Sequence, residues 1–189
     1  MDVPAPLKRI IVGGVVVASG GLIGWITERE GNEHRVYADV GGVPTVCAGV
    51  VVRGVAIGTQ YTRPQCDELT RTAIERHGRE LLACTWGRTG VQLKQHEYDA
   101  LASLAYNVGT ANVCASCLPR SECLGDLIRA GKMAAACERI TAYSKVRIRG
   151  VLADCRERAH GCYGVWLRRQ AERDLCLGRR APLTAEGRA

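Results

Sequence analysis

Phenylalanine is absent from this chain, and the other aromatics are few, with three Trp and six Tyr among 189 residues. Any interior must therefore be filled by Leu, Val, Ile, Ala and buried Cys, and no run of aromatics offers bases a stacking platform. Long Lys or Arg runs are also lacking. The net charge of +7 comes from basic residues interleaved with acids, as in "RERAHG" and "LRRQAERD". That pattern reads as solvated helix faces, with a positive potential toward nucleic acid, an anionic membrane surface or an acidic cell wall. With no reading helix or stacking surface, nucleic acid is not expected as a partner. Metal-ligand spacing is scarce too: Cys114-x-x-Cys117, with Cys123 nearby, is the best candidate, but no second close pair completes a zinc ribbon. His34, His77, His96 and His160 lie apart from one another and from any such pair. No metal and no cofactor are expected.

Ten cysteines are present, with 47% hydrophobic and 24% charged residues. The composition is that of a folded globular chain, and the cysteine count reads as a disulfide framework in an oxidising compartment. An export device agrees with this. Ile10 to Ile26, "IIVGGVVVASGGLIGWI", carries no charge, and Lys8 and Arg9 precede it. Basic residues on that flank predict that the N-terminus stays cytoplasmic and the rest is exported. The stretch is short for a span and holds Gly13, Gly14, Gly20, Gly21 and Gly24, each of which adds little to transfer into lipid. A permanent anchor, a cleaved signal peptide and a releasable anchor are the three readings; the glycines favour release.

The expected organisation is an anchor over 1–27, a catalytic domain over 28–178 and a flexible tail over 179–189. The Val-rich run from Val36 to Ile57, broken by glycines and Pro44, predicts a small antiparallel sheet. Thr62 or Asp67 begins the first long helix, with Leu69, Ala73, Ile74, Leu81 and Leu82 on one face. A second places Leu93, Tyr98, Leu101, Leu104 and Ala105 together and stops at Gly109. Further helices are predicted at 123–130, 133–141 and 163–177. The class is α+β: a small sheet lobe and a larger helical lobe, preceded by an apolar helix.

Chemistry concentrates in "REGNEHRVYADVGGVPTVCAG", which holds Glu30, Tyr37, Asp39 and Thr45. Two oxygen acids at a helix end and a facing hairpin match glycoside hydrolysis, where one acid stays protonated and the other ionised. The run Glu30-x8-Asp39-x5-Thr45 resembles the active-site motif of phage-type lysozymes, glycoside hydrolase family 24. "QHEYDALASLAYNVG" resembles that family's central helix, and "GVWLRRQAERDLCLG" its C-terminal Arg-Arg-x-x-Glu block, with Val165 and Trp166 departing from it. The resemblance implies a lysozyme-like two-lobed fold and an inverting muramidase that cuts the β-1,4 bond between N-acetylmuramic acid and N-acetylglucosamine. Glu30 is then the general acid, Asp39 positions water or stabilises positive charge, and Thr45 orients that water. Tyr37, Arg168 and Arg169 are possible supports, though pairing within "RRQAERD" is an equal alternative for the arginines.

The N-terminus resembles that of signal-anchor-release endolysins, which implies a monomer tethered to the inner membrane of a Gram-negative host before release into the periplasm. Its partners would be peptidoglycan glycan strands and, through residues 10–26, the membrane. Cys47 stands where relatives often carry Gly, and a disulfide is its favoured state over a free thiol or regulatory lock. Cys155–Cys162 is the first choice for a local bridge and Cys114–Cys137 the second, although sequence does not determine connectivity. Three rival functions remain: a lytic transglycosylase cutting the same bond without water, a thiol peptidase using His77 or His96, and a membrane hole-former.

Overall fold

The computed structural model describes residues 18–30, 33–39, 42–119, 121–148 and 150–180, without the side chains of 20 and 27–30. Most of the predicted anchor, residues 1–17, and the last nine residues of the tail lie outside the described residues.

The first helix, α1 (Gly20–Glu30), opens at Ser19, whose hydroxyl accepts from the Leu22 N–H at 3.1 Å. This satisfies one of the donors that a helix start leaves unpaired. Leu22, Trp25 and Ile26 are buried on the helical core. These three side chains belong to the apolar stretch read above as membrane-seeking.

A three-stranded antiparallel sheet follows, built from β1 (Glu33–Ala38), β2 (Pro44–Cys47) and β3 (Val50–Val51) in that order. Tyr37 stands opposite Thr45 and Glu33 opposite Cys47, with an irregularity between them. Val36, Val46, Cys47 and Cys66 form a small core of their own. A Cys47–Cys66 disulfide then staples the sheet to the next helix.

That helix, α2 (Arg63–Cys84), starts at a capping box in which Thr62 and Gln65 satisfy each other's backbone N–H, with Pro64 in its first turn. Its buried stripe is Cys66, Thr70, Ala73, Ile74, Gly78 and Leu81, while Leu69 and Leu82 sit at the edge. After a single turn, α3 (Trp86–Thr89), comes α4 (Gln95–Val108), which ends at Gly109. Every residue of α4 from Glu97 to Ala105 is buried, so this helix is the axis around which α1, α2 and the later helices pack.

The remaining helices are α5 (Thr110–Cys114), α6 (Leu124–Arg129), α7 (Met133–Arg139) and α8 (Tyr163–Cys176). At Gly125 a Cβ would stand 2.3 Å from the Ala115 carbonyl oxygen, so only glycine lets α6 lie this close to the exit of α5. Between α7 and α8 the chain forms a second hairpin, β4 (Lys145–Ile148) with β5 (Val151–Asp154), which the sequence reading did not anticipate. Its apolar residues Ile148, Val151 and Leu152 are exposed, so it lacks the one-sided burial that makes a strand visible in sequence.

Four disulfides are present: Cys47–Cys66, Cys84–Cys114, Cys137–Cys176 and Cys155–Cys162. The Cys114–Cys137 pairing is therefore corrected. Cys114 leaves α5 against the end of α2, where Cys84 waits, and Cys137 on α7 faces Cys176 at the end of α8. Among the described residues, no helix is long and apolar enough to cross a membrane.

Candidate active site

The hairpin between β1 and β2 carries two of the three expected catalytic residues. Asp39 leaves β1 and binds the turn to itself: its Oδ1 accepts from the Val43 N–H at 2.8 Å. Its backbone N–H donates to the Val43 carbonyl at 3.0 Å, and its own carbonyl accepts from Gly42 at 2.9 Å. Gly42 has φ +76°, a conformation that glycine adopts without steric cost. Thr45 lies in β2, buried, and its hydroxyl donates to the same Val43 carbonyl at 3.0 Å.

The backbone of one residue, Val43, thus holds both side chains. Its N–H fixes the carboxylate and its C=O takes the hydroxyl proton. The Thr45 oxygen keeps its lone pairs as acceptors, and the half-buried Asp39 is held by the same residue. No side-chain pattern announces Val43, because only its backbone takes part. Tyr37 is 38% exposed on β1, opposite Thr45. Glu30 closes α1, and its side chain lies outside the described residues.

Cys47 follows directly along β2 with φ +59°, the only non-glycine in the left-handed region among the described residues. An L-residue there costs roughly 1–2 kcal/mol, which accounts physically for a preference for Gly at this position. Here the covalent bond to Cys66 holds the strained turn against α2.

The hairpin is also tied to the helical lobe by a residue the sequence reading passed over. Tyr106, in the "AYNVG" end of α4, donates its hydroxyl proton to the Ala48 carbonyl at 2.7 Å. Burial pushes this phenol above the ordinary tyrosine range and keeps it a donor. A second tyrosine in the last turn of the helix was the available signal.

Arg168 and Arg169 are both buried on α8 and converge on Glu172. Arg168 Nε donates to Glu172 Oε1 at 3.1 Å, Arg169 Nη2 donates to the same oxygen at 3.2 Å, and Ser103 Oγ donates to it at 2.7 Å. Arg169 Nε also lies 2.9 Å from Glu172 Oε2 but without hydrogen-bond alignment, so that contact is purely ionic. Burial lowers the Arg169 guanidinium to about 10, against the raising effect of Glu172. The pairing within "RRQAERD" is thus realised.

The histidines considered for thiol chemistry are engaged elsewhere, His77 Nδ1 with Thr110 at 2.9 Å and His96 Nδ1 with the Cys176 carbonyl at 3.0 Å. A cavity of about 620 Å³ opens among Glu122, Arg139, Lys145, Arg156 and Trp166. None of its lining residues belongs to the β1–β3 sheet.

Comparison with known proteins matches residues 27–172 to the phage lysozyme family model. The chain is 33% identical over 159 residues to the SAR-endolysin of Escherichia phage 933W, covering 82% of each sequence. It is 30% identical over 148 residues to the SAR-endolysin of Pseudomonas phage phiKMV, covering 78% of this chain and 81% of the relative. Among solved structures, the endolysin from Escherichia coli O157:H7 phage FAHEc1 superimposes with a TM-score of 0.69 at 25% identity. That match covers 90% of this chain and 98% of the other.

Proposed function

The chain belongs to the phage lysozyme family, and from that premise we propose that it hydrolyses the β-1,4 bond between N-acetylmuramic acid and N-acetylglucosamine in peptidoglycan, with inversion. Glu30 protonates the glycosidic oxygen while Asp39 and Thr45 hold a water on the opposite face of the sugar.

The observation that carries this reading is that Asp39 and Thr45 both hang on the backbone of Val43. Thr45 has already given its only proton to the Val43 carbonyl, so toward a water it can only accept. An ionised Asp39 also accepts. A water whose two hydrogens point at these residues has a lone pair left for the anomeric carbon. The arrangement therefore favours hydrolysis over a transglycosylase, which uses no water. Arg168 and Arg169, paired to Glu172, serve in this reading to fix α8 against α4 through Ser103.

The same proposal places the chain first in the inner membrane of a Gram-negative host, through residues 10–26, and then in the periplasm as a monomer. The burial of Leu22, Trp25 and Ile26 against the helical core supports this. Those side chains cannot occupy bilayer and core together, and α1, which ends on Glu30, forms in place only when they leave the lipid. Four disulfides fit an oxidising destination.

The test is digestion of purified peptidoglycan by wild type and Glu30→Gln, with fragment masses. Wild type should give ordinary reducing ends, one water heavier than anhydro ends, and Glu30→Gln should lose at least about 100-fold in rate. Anhydro products would assign a transglycosylase, and full activity of the variant would remove Glu30 from the mechanism.

A further inference from the structure

Eight of the ten cysteines are bonded, and the other two, Cys117 and Cys123, face each other across the loop between α5 and α6. We propose that Cys117 and Cys123 are a redox pair that a disulfide-bearing oxidant converts into a fifth bridge. The inference stands apart from the glycosidase reading and needs only the geometry of this loop.

That geometry is set by Asp126. Its Oδ2 accepts from the backbone N–H of Cys117 at 2.8 Å and from that of Cys123 at 3.2 Å. Two nitrogens that share one oxygen at those distances lie no more than about 6 Å apart. Each Cα lies about 1.5 Å from its nitrogen, so the two Cα atoms are at most about 9 Å apart, within roughly 2 Å of the 4.4–6.8 Å that disulfides span. The two sulfurs lie within 4.8 Å of each other and of the Asp126 carboxylate. Ser121 N–H donates to the Cys117 carbonyl at 3.3 Å, folding the intervening loop, and Leu118 at its start is 61% exposed. Only a short movement of a solvent-facing loop separates thiols from bridge.

The same cluster has the composition of a cation site, but Asp126 is committed elsewhere. Besides the two N–H groups it accepts from Ser116 Oγ at 2.7 Å and from Arg129 Nη2 at 2.7 Å. These donors, the Cys117 N–H foremost, hold its carboxyl well below the usual carboxylate range. A cation would have to displace a guanidinium and a hydroxyl. Oxidation displaces neither. It removes the Cys123 S–H that reaches Asp126 Oδ2 and the Ala115 carbonyl, both at 3.1 Å, and leaves four donors on the carboxylate.

Burial, then the hydrogen bonds with Cys117 and Asp126, push the Cys123 thiol up to about 11. First attack therefore falls to Cys117. Its thiolate attacks one sulfur of the oxidant, forming a mixed disulfide and expelling a thiolate. Cys123 then gives its proton to solvent and attacks the Cys117 sulfur, expelling the second thiolate. Two thiols are oxidised, one disulfide is reduced to two thiols, and the two protons end on the products.

Oxidised glutathione on the purified full chain is a direct test. The chain is then denatured, alkylated with iodoacetamide and digested with trypsin without reduction. Arg120 lies between the two cysteines, so trypsin separates them unless they are bridged. Peptide 121–129 should join peptide 95–120, two alkylation sites should vanish and the mass should fall by two hydrogens. In Cys117→Ser, peptide 121–129 should be released with Cys123 alkylated, while 80–88 stays joined to 95–120 through Cys84–Cys114. Thiols that stay alkylatable with the four bridges intact would overturn the proposal. So would a joined 121–129 in Cys117→Ser, or protection by zinc chloride alone that a chelator reverses.

Discussion

Two buried carboxylates meet opposite fates on neighbouring helices. Burial raises the Asp99 carboxyl on α4 above the ordinary range, and hydrogen bonds from Ser19 and Gln95, with the nearby His96, only moderate this. Glu172 on α8 is fully buried with two guanidiniums and a serine hydroxyl arranged on it. Removing its charge takes from Arg168 and Arg169 the buried carboxylate they share, a loss of roughly 3–5 kcal/mol. Glu172→Gln keeps the shape and should lose about that much in urea denaturation. A loss under about 1 kcal/mol would mean the arginines find other partners. At this scale the sequence singled out Asp39 and Thr45, which lie together on the β1–β2 hairpin, and the arginine pairing within "RRQAERD". Val43 escaped because a backbone hydrogen bond has no side-chain signature, and Tyr106 because its partner, Ala48, lies 58 residues away.

Among elements, the hairpin of β1 and β2 rests on a strained residue as well as on its hydrogen bonds. Cys47 at φ +59° is held by Cys66. With the bridge removed in both, Cys47→Gly/Cys66→Ser should be more stable than Cys47→Ser/Cys66→Ser by about 1 kcal/mol, because glycine relieves the left-handed cost. Equal melting of the two pairs would show that the turn relaxes once released. The long helices were legible from their stripes and caps: Thr62 does open α2 and Gly109 does close α4. The β4–β5 hairpin was not, since its pairing is local and its larger apolar residues Ile148, Val151 and Leu152 are exposed. The pairings of Cys84 and Cys137 were hidden for a related reason: they depend on how α2, α5, α7 and α8 pack, which spacing along the chain does not encode.

For the whole molecule, the N-terminal stretch read as an anchor and the inner layer of the fold share Leu22, Trp25 and Ile26. In the proposed release, membrane and core compete for one set of side chains, and the glycines would set the balance. A Cβ at Gly24 meets nothing within 4 Å, so the fold tolerates a larger residue there. Each added Leu favours insertion by about 0.5 kcal/mol. Gly13→Leu/Gly14→Leu/Gly24→Leu should therefore shift the chain roughly tenfold toward the membrane fraction of fractionated cells. A wild-type distribution would mean that the glycines do not govern release.

The central claim is that Asp39 and Thr45 aim a water at the sugar from the face opposite Glu30. Proton NMR of the fresh reducing end, recorded before mutarotation, tests it most directly. The account predicts the α-anomer as the first product from a β-linked strand. A β-anomer appearing first would contradict it, since it would require a covalent intermediate or attack from the side of the departing group.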